Sequence, residues 1–319
     1  MMIRRFLGFL LSFLLCTAGA MAEASPDPTV QDEDVYLQVL DALDNELFDE
    51  TYQFLEDGNI LKSGMKKNAA KGLQQLIMQL GEKTTVNGTV SGKTISAMNK
   101  AQDAFGLAKE KNVNPDSYKQ LLVCALFMQD AAAARRILEE AFPMDQLDYI
   151  EAAVTFKSGR FYTAQRMYQA ISYQDSSERA EKCIQKWPKN GQVYRNPGYK
   201  SARTRLLIHG VEDETHATYI KIYRPDDVLV STVFIASSKS ASVRLPAGTY
   251  RMKVGTGSSW YGPEEAFGSG SDAFYSVLTF DESGTDSITL DAGHQYTLTL
   301  GGVTCGNVGS HGEDWSSFQ

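Results

Sequence analysis

The chain has 319 residues, with 39 acidic and 31 basic side chains and a formal net charge of −8 at pH 7. An acidic chain without clustered Lys and Arg excludes a nucleic-acid binder, because phosphate backbones are held by grouped cations. Its four His and four Cys are scattered without paired spacing, so neither a metal site nor a cofactor is expected.

In chain order, residues 1–22 read as a secretory signal peptide. Arg4 and Arg5 form the basic start, 6–15 the apolar stretch and Ala20-Met21-Ala22 the small-x-small cleavage site. A lipoprotein signal through Cys16 fits less well, since Leu15 stands where that signal wants a small residue. The apolar stretch is short for a bilayer crossing and no second run of spanning length follows. The expected mature chain is therefore secreted or held in the cell envelope, with no membrane span. Loss of Arg4 and Arg5 takes the net charge from −8 to −10. Residues 23–60 form an acidic N-terminal segment with twelve Asp or Glu and no Lys or Arg. Tyr36, Leu40, Leu43, Leu47 and Phe54 make a helical apolar stripe through it. Processing would leave Cys124, Cys183 and Cys305, an odd set that does not define a disulfide framework. Cys124, inside Leu121-Leu122-Val123-Cys124-Ala125, reads as a packed core thiol, whereas Cys183 can pair with either of the others.

Residues 61–122 carry the most ordered pattern. Leu73, Leu76, Ile77 and Leu80 share one helix face, and Gly81 stands where that helix would stop. Asn87-Gly88 is a turn dipeptide, Ser91 with Thr94 can cap the next helix, and Asn114-Pro115-Asp116-Ser117 repeats that lead-in. The series Leu61, Gly64, Leu73, Gln74, Leu80, Gly81, then Val86, Gly88, Thr94, Ala97, Met98, Gln102, Gly106 and Leu107, resembles the peptidoglycan-binding domain-like family. Members of that family are three-helix modules that hold bacterial proteins against the cell wall. The chain departs from the family pattern at Asn87 (Asp in the family), Ser91-Gly92 (Gly-Pro), Ala101 (a core Phe, whose space Phe105 can refill) and Lys67 (Gly). The resemblance implies a three-helix bundle and a cell-wall glycopeptide ligand, held near Asn87, Gly88, Ser91, Lys93 and Thr94.

Residues 123–187 continue as helices. The run from Ala152 through Gly159 to Ala164 and Tyr168 resembles a tetratricopeptide repeat, and the stretch around Phe127, Asp130 and Ala134 is a degenerate version. Such helix pairs either hold a partner segment, for instance of another envelope protein, or brace neighbouring domains.

A turn-rich linker, 188–202, opened by Pro188-Lys189-Asn190-Gly191, separates this half from residues 203–302. There the periodicity becomes two, predicting strands near 204–210, 218–223, 228–235, 241–245, 249–254, 274–280, 287–290 and 295–300. Short strands at this spacing predict an antiparallel sandwich, followed by a C-terminal tail, 303–319. The turn Leu245-Pro246-Ala247-Gly248-Thr249-Tyr250 weakly resembles transthyretin-like modules. The insert 255–273 carries Trp260, Tyr261 and Phe267 among Gly and Ser. Trp260 and Tyr261 either stack on sugar rings from an exposed loop or fold back to plug the sandwich.

The expected architecture is thus multidomain α plus β, with an all-α N-terminal half and a β-sandwich behind it. A catalytic set does not emerge. His294 and Ser310-His311-Gly312 are spaced like an L,D-transpeptidase motif, but Glu313 takes the nucleophile's place and Cys305 lies upstream. The Gly-Lys-Thr at Gly92 lacks the spacing and the preceding strand of a phosphate loop. The reading is a non-enzymatic envelope protein that binds peptidoglycan, the alternative a tetratricopeptide-like scaffold with a vestigial wall module.

Overall fold

A computed structural model of the chain describes residues 28–199, 203–211, 213–280, 284–300 and 308–319. The signal-peptide assignment (1–22), Cys16 and Cys305 lie outside the described residues.

The first half comprises α1 (Pro28–Leu43), α2 (Glu46–Glu56), the two-residue strand β1 (Leu61–Lys62), α3 (Ala69–Gln79), α4 (Gly92–Ala104), β2 (Asn112–Val113), α5 (Pro115–Gln129), α6 (Ala131–Leu138), α7 (Met144–Lys157), α8 (Phe161–Gln169) and α9 (Ser176–Lys182). Their starts follow from local chemistry. Ser91 and Asn114 each close a reciprocal capping box, and Pro115 opens α5, where its missing N–H has no helical partner to lose. Every residue from Leu121 to Phe127 is buried, so α5 is apolar all round and serves as the hub against which α1, α2, α3, α6 and α7 pack. One core of apolar side chains runs from Val35 to Cys183, through the 61–122 segment and both of its neighbours. Within it Phe105 is buried beside Ala101. Cys124 and Cys183 are buried and unpaired, and burial raises both thiols well above their ordinary value.

The second half comprises β3 (Gly191–Arg195), β4 (Thr204–His209), β5 (Ala217–Tyr223), β6 (Leu229–Ile235), β7 (Ser240–Leu245), β8 (Gly248–Gly257), the single-turn helix α10 (Gly262–Glu265), β9 (Phe274–Phe280), β10 (Ser287–Leu290), β11 (Gln295–Thr299), β12 (Val308–Gly312) and α11 (Trp315–Phe318). The larger sheet has the order β12-β9-β8-β5-β6-β3, with β10 also on β8; the smaller is β11-β4-β7. Leu206, Ile208, Val243 and Leu245 of the small sheet meet Ile220, Ile222, Val233 and Met252 of the large one. The two-residue alternation puts Tyr219 and Phe234 on the opposite face.

Three expectations are corrected here. The sandwich is antiparallel except for β11, which runs parallel to β4; the two are far apart in sequence, so no hairpin dictates their direction. Residues 191–195, expected within the linker, add an antiparallel edge strand to β6. Residues 308–312, expected as tail, pair with β9. Neither strand has the alternating apolar pattern, because each lies at an edge with mostly exposed side chains.

Candidate functional site

The rim expected to bind ligand is built around one side chain, Gln74 of α3, which is 1% exposed. Its Oε1 accepts from the N–H groups of Asn87 (2.9 Å) and Gly88 (3.0 Å), and its Nε2 donates to Thr89 O (2.8 Å) and Asn87 Oδ1 (3.1 Å). Asn87 Oδ1 also accepts from the N–H of Thr89 (2.9 Å), an Asx turn. Gly88 takes φ +72°, a left-handed value that a Cβ disfavours, and its carbonyl accepts from Lys67 N–H. Ser91 and Thr94 are spent on the α4 capping box, and Thr94 is buried. The structure therefore brings Asn87, Gly88, Ser91 and Thr94 together as the turn and cap that fix the start of α4. The side-chain oxygens of Asn87, Ser91 and Thr94 are used in that turn and cap, while Asn87 and Ser91 keep exposed surface. Lys93 is exposed and stays available.

Immediately beyond, Gly92, Ile95, Ser96, Asn99, Lys100 and Asp103 follow at three- and four-residue spacing along one face of α4, and with Lys109 they line a cleft of about 430 Å³. Asn99 Oδ1 accepts from Glu110 N–H (3.1 Å), and Glu110 Oε2 accepts from the Asn114 side chain (3.0 Å). These two bonds tie the loop wall to both α4 and the cap of α5. Lys109 pairs with Asp103 at 2.6 Å, and its hydrogen bond holds the Asp103 carboxyl below its usual value. At the far end Arg179 of α9 donates to the carbonyls of Ala104 (2.9 Å) and Asp103 (2.6 Å), the last of the helix, while Asp175 holds its Nε (2.9 Å). The later helices thus reach the C-terminal end of α4, and its polar face at Ser91, Gly92, Lys93, Ser96 and Lys100 remains exposed. Sequence reasoning did not single out Ser96, Asn99, Lys100 and Lys109; the spacing of the first three along α4 was the available signal, and Lys109 lies beyond the helix.

Trp260 and Tyr261 are elsewhere and are not surface groups. They are 3% and 6% exposed. The Trp260 ring meets Tyr219, Phe234 and Phe267 edge-on at centroid distances of 4.9–5.6 Å, over the outer face of the large sheet. Tyr261 O–H donates to Gln165 of α8 (2.8 Å), and its ring lies 5.1 Å from that of Tyr162. The stacking-platform expectation is corrected: the insert is the joint between the two halves. Its centre is Glu265, 2% exposed, whose carboxylate accepts from the N–H groups of Tyr162 (2.5 Å) and Thr163 (3.3 Å) and from the Thr163 hydroxyl (2.5 Å). A carboxylate from the β half therefore caps the N-terminus of α8, satisfying orphan N–H groups and matching the positive end of the helix dipole. Trp315 Nε1–H donates to Glu265 O (3.0 Å), and Gln185 N–H donates to Trp260 O (2.8 Å). At Gly268 an added Cβ would sit 2.2 Å from the Tyr162 ring, so the approach requires glycine.

The residues compared with a transpeptidase are separated by the topology. His294 precedes β11 in the small sheet, Ser310 and His311 lie on β12 in the large sheet, and Glu313 is paired with Lys253 (2.8 Å). Among the described residues no group of His, Cys, Asp and Glu is placed to hold a metal ion, and no helix is long and apolar enough to cross a membrane. No protein-family model, curated protein or solved structure matches the chain.

Proposed function

We propose that this is a secreted, non-catalytic protein of a bacterial cell envelope that binds peptidoglycan through the α4 cleft and presents its β-sandwich as a second interaction domain. The reading is supported chiefly by one observation: the polar cleft on α4 is open, and it lies in the segment whose residue order resembles wall-binding modules. The internally satisfied turn at Asn87 and the Arg179 clamp hold the helix that displays the cleft at both ends, so its polar groups are pre-positioned. The alternative, a tetratricopeptide-like scaffold, has less support, because Phe161, Tyr162 and Gln165 of α8 are already engaged by the insert.

The test is co-sedimentation of the full chain with purified sacculi. Wild type is expected in the pellet, and the double variant Lys93→Gln/Lys100→Gln in the supernatant. Wild type recovered wholly in the supernatant ends the wall-binding reading. Asn87 is unsuitable as the binding control, since its replacement would also unlock the Gln74 turn.

A further inference from the structure

We infer that the interaction surface of the β-sandwich is the outer face of its large sheet, built to take a short peptide with an acidic side chain and, five residues later, a phenylalanine, and that the chain's own residues 313–319 occupy it here. The inference rests on the second half of the reading above, the sandwich as an interaction domain, and names its surface and the class of partner.

The pocket is made by the sheet. Tyr219 and Lys221 of β5 lie opposite Gly255 and Lys253 of β8, and Tyr275 of β9 stands opposite Gly255. Gly255 keeps the floor open: a Cβ there would come within 2.8 Å of the Tyr275 ring and 3.2 Å of Phe318 Cζ. Phe318 fills the gap, fully buried, with its ring centroid 4.7 Å from that of Tyr275.

The remaining grip is on main chain and charge. Lys221 Nζ donates to the carbonyls of Phe318 (2.8 Å) and Gln319 (3.0 Å) and lies 4.7 Å from the centre of the Phe318 ring. Lys253 Nζ donates to Ser317 O and to Glu313 Oε1 (2.8 Å), and Glu313 N–H donates to Tyr275 O (2.9 Å). Asp314, Ser316, Ser317 and Gln319 are exposed, and Trp315 is held by Glu265 O and the Tyr162 ring. Two lysines on carbonyls accept any backbone, so the selectivity lies in Glu313 and Phe318.

Three features make the segment a removable occupant. Its helix, α11, is a single turn and too short to sustain itself. It follows β12, an edge strand with mostly exposed side chains. Its seat also carries a cost: Lys221 and Lys253 are directly opposed on neighbouring strands, where like charges repel. Burial, and then Lys253, lower the Lys221 ammonium to about 8, so covering this side chain opposes the docking of Phe318. The segment therefore opens at less free energy than the sheet beneath it unfolds. Being tethered, it still holds a high effective concentration at the pocket, and a free peptide binds only in proportion to the open fraction.

A fluorescein-labelled peptide with the sequence of residues 312–319 is titrated into the full chain and followed by anisotropy, while acetylation of Lys221 is read by mass spectrometry. Wild type is expected to bind weakly and to keep Lys221 protected. Phe318→Ala is expected to open Lys221 to the reagent, to bind the peptide about tenfold tighter than wild type, and to regain protection as it binds. Replacing the phenylalanine of the peptide by alanine, or adding Lys221→Met to the Phe318→Ala chain, should abolish that binding; adding Lys239→Met should not. Should Phe318→Ala not melt cooperatively, Glu313→Gln is used in its stead. A folded variant that exposes Lys221 without binding the peptide, or binds it without protecting Lys221, overturns the inference, as does a Lys221 that stays protected in both variants. Retention on sacculi is measured on the same preparations. Its loss removes wall binding and leaves the pocket standing, whereas failure of the peptide leaves wall binding standing.

Discussion

The face of α4 and the insert at 255–273 both have the polar or aromatic composition of a ligand surface, yet only the first is open. On α4, the groups with strong local preferences, Asn87, Ser91 and Thr94, are absorbed by a turn and a cap, and the ones left over, Lys93, Ser96 and Lys100, form the surface. In the insert, nothing large is left over: Trp260, Tyr261 and Phe267 are drawn inside, and Glu265 is consumed by α8. The difference teaches that large rings and groups with nearby partners are consumed by the fold, whereas long charged side chains without an intramolecular partner stay at the surface.

Four substitutions sharpen this contrast, from the largest effect to the smallest. Trp260→Ala should remove about 3–5 kcal/mol of stability in denaturant unfolding, the scale for deleting a buried aromatic, whereas a sugar-stacking Trp would cost almost nothing. Glu265→Ala strands three donors on α8 and should cost about 3 kcal/mol; a change below about 0.5 kcal/mol would mean that the joint is held by its aromatics alone. Gln74→Leu preserves bulk but leaves the Asn87 and Gly88 N–H groups without their acceptor, so about 1–3 kcal/mol should be lost. Its amide protons at 87 and 88 should also exchange faster by NMR. Lys93→Gln/Lys100→Gln should leave the melting curve within about 0.5 kcal/mol of wild type and alter only retention on sacculi, an effect that should shrink as salt rises.

Much of the β half was legible because it alternates. Leu206 and Ile208, Ile220 and Ile222, and Val243 and Leu245 are each two residues apart and face one interior, so strand positions could be placed to within a few residues. Edge strands β3 and β12 were not, because their side chains are mostly exposed and only the neighbouring backbone decides that they pair. The start of α4 was legible as geometry, since Asn87-Gly88 and Ser91 act within a few residues of themselves. Its tie to α3 was not legible, because Gln74 lies 13 residues before the Asn87 it bonds. The fate of Tyr261 depends on α8, 96 residues before it along the Gln165 contact, and that of Trp260 on Tyr219 and Phe234 of the large sheet, and no local pattern encodes those meetings.

The carboxylate of Glu265 seated on α8 has a practical corollary. Either half expressed by itself would carry a raw wound: the α8 N-terminus stripped of its acceptor beside bare Phe161 and Tyr162 on one fragment, and a solvent-stranded acid beside Tyr261 and Trp315 on the other. Such fragments would clump, and their stickiness in a pull-down would imitate affinity. Dissecting this protein therefore calls for single-residue changes in the intact chain, not for truncation at the obvious seam.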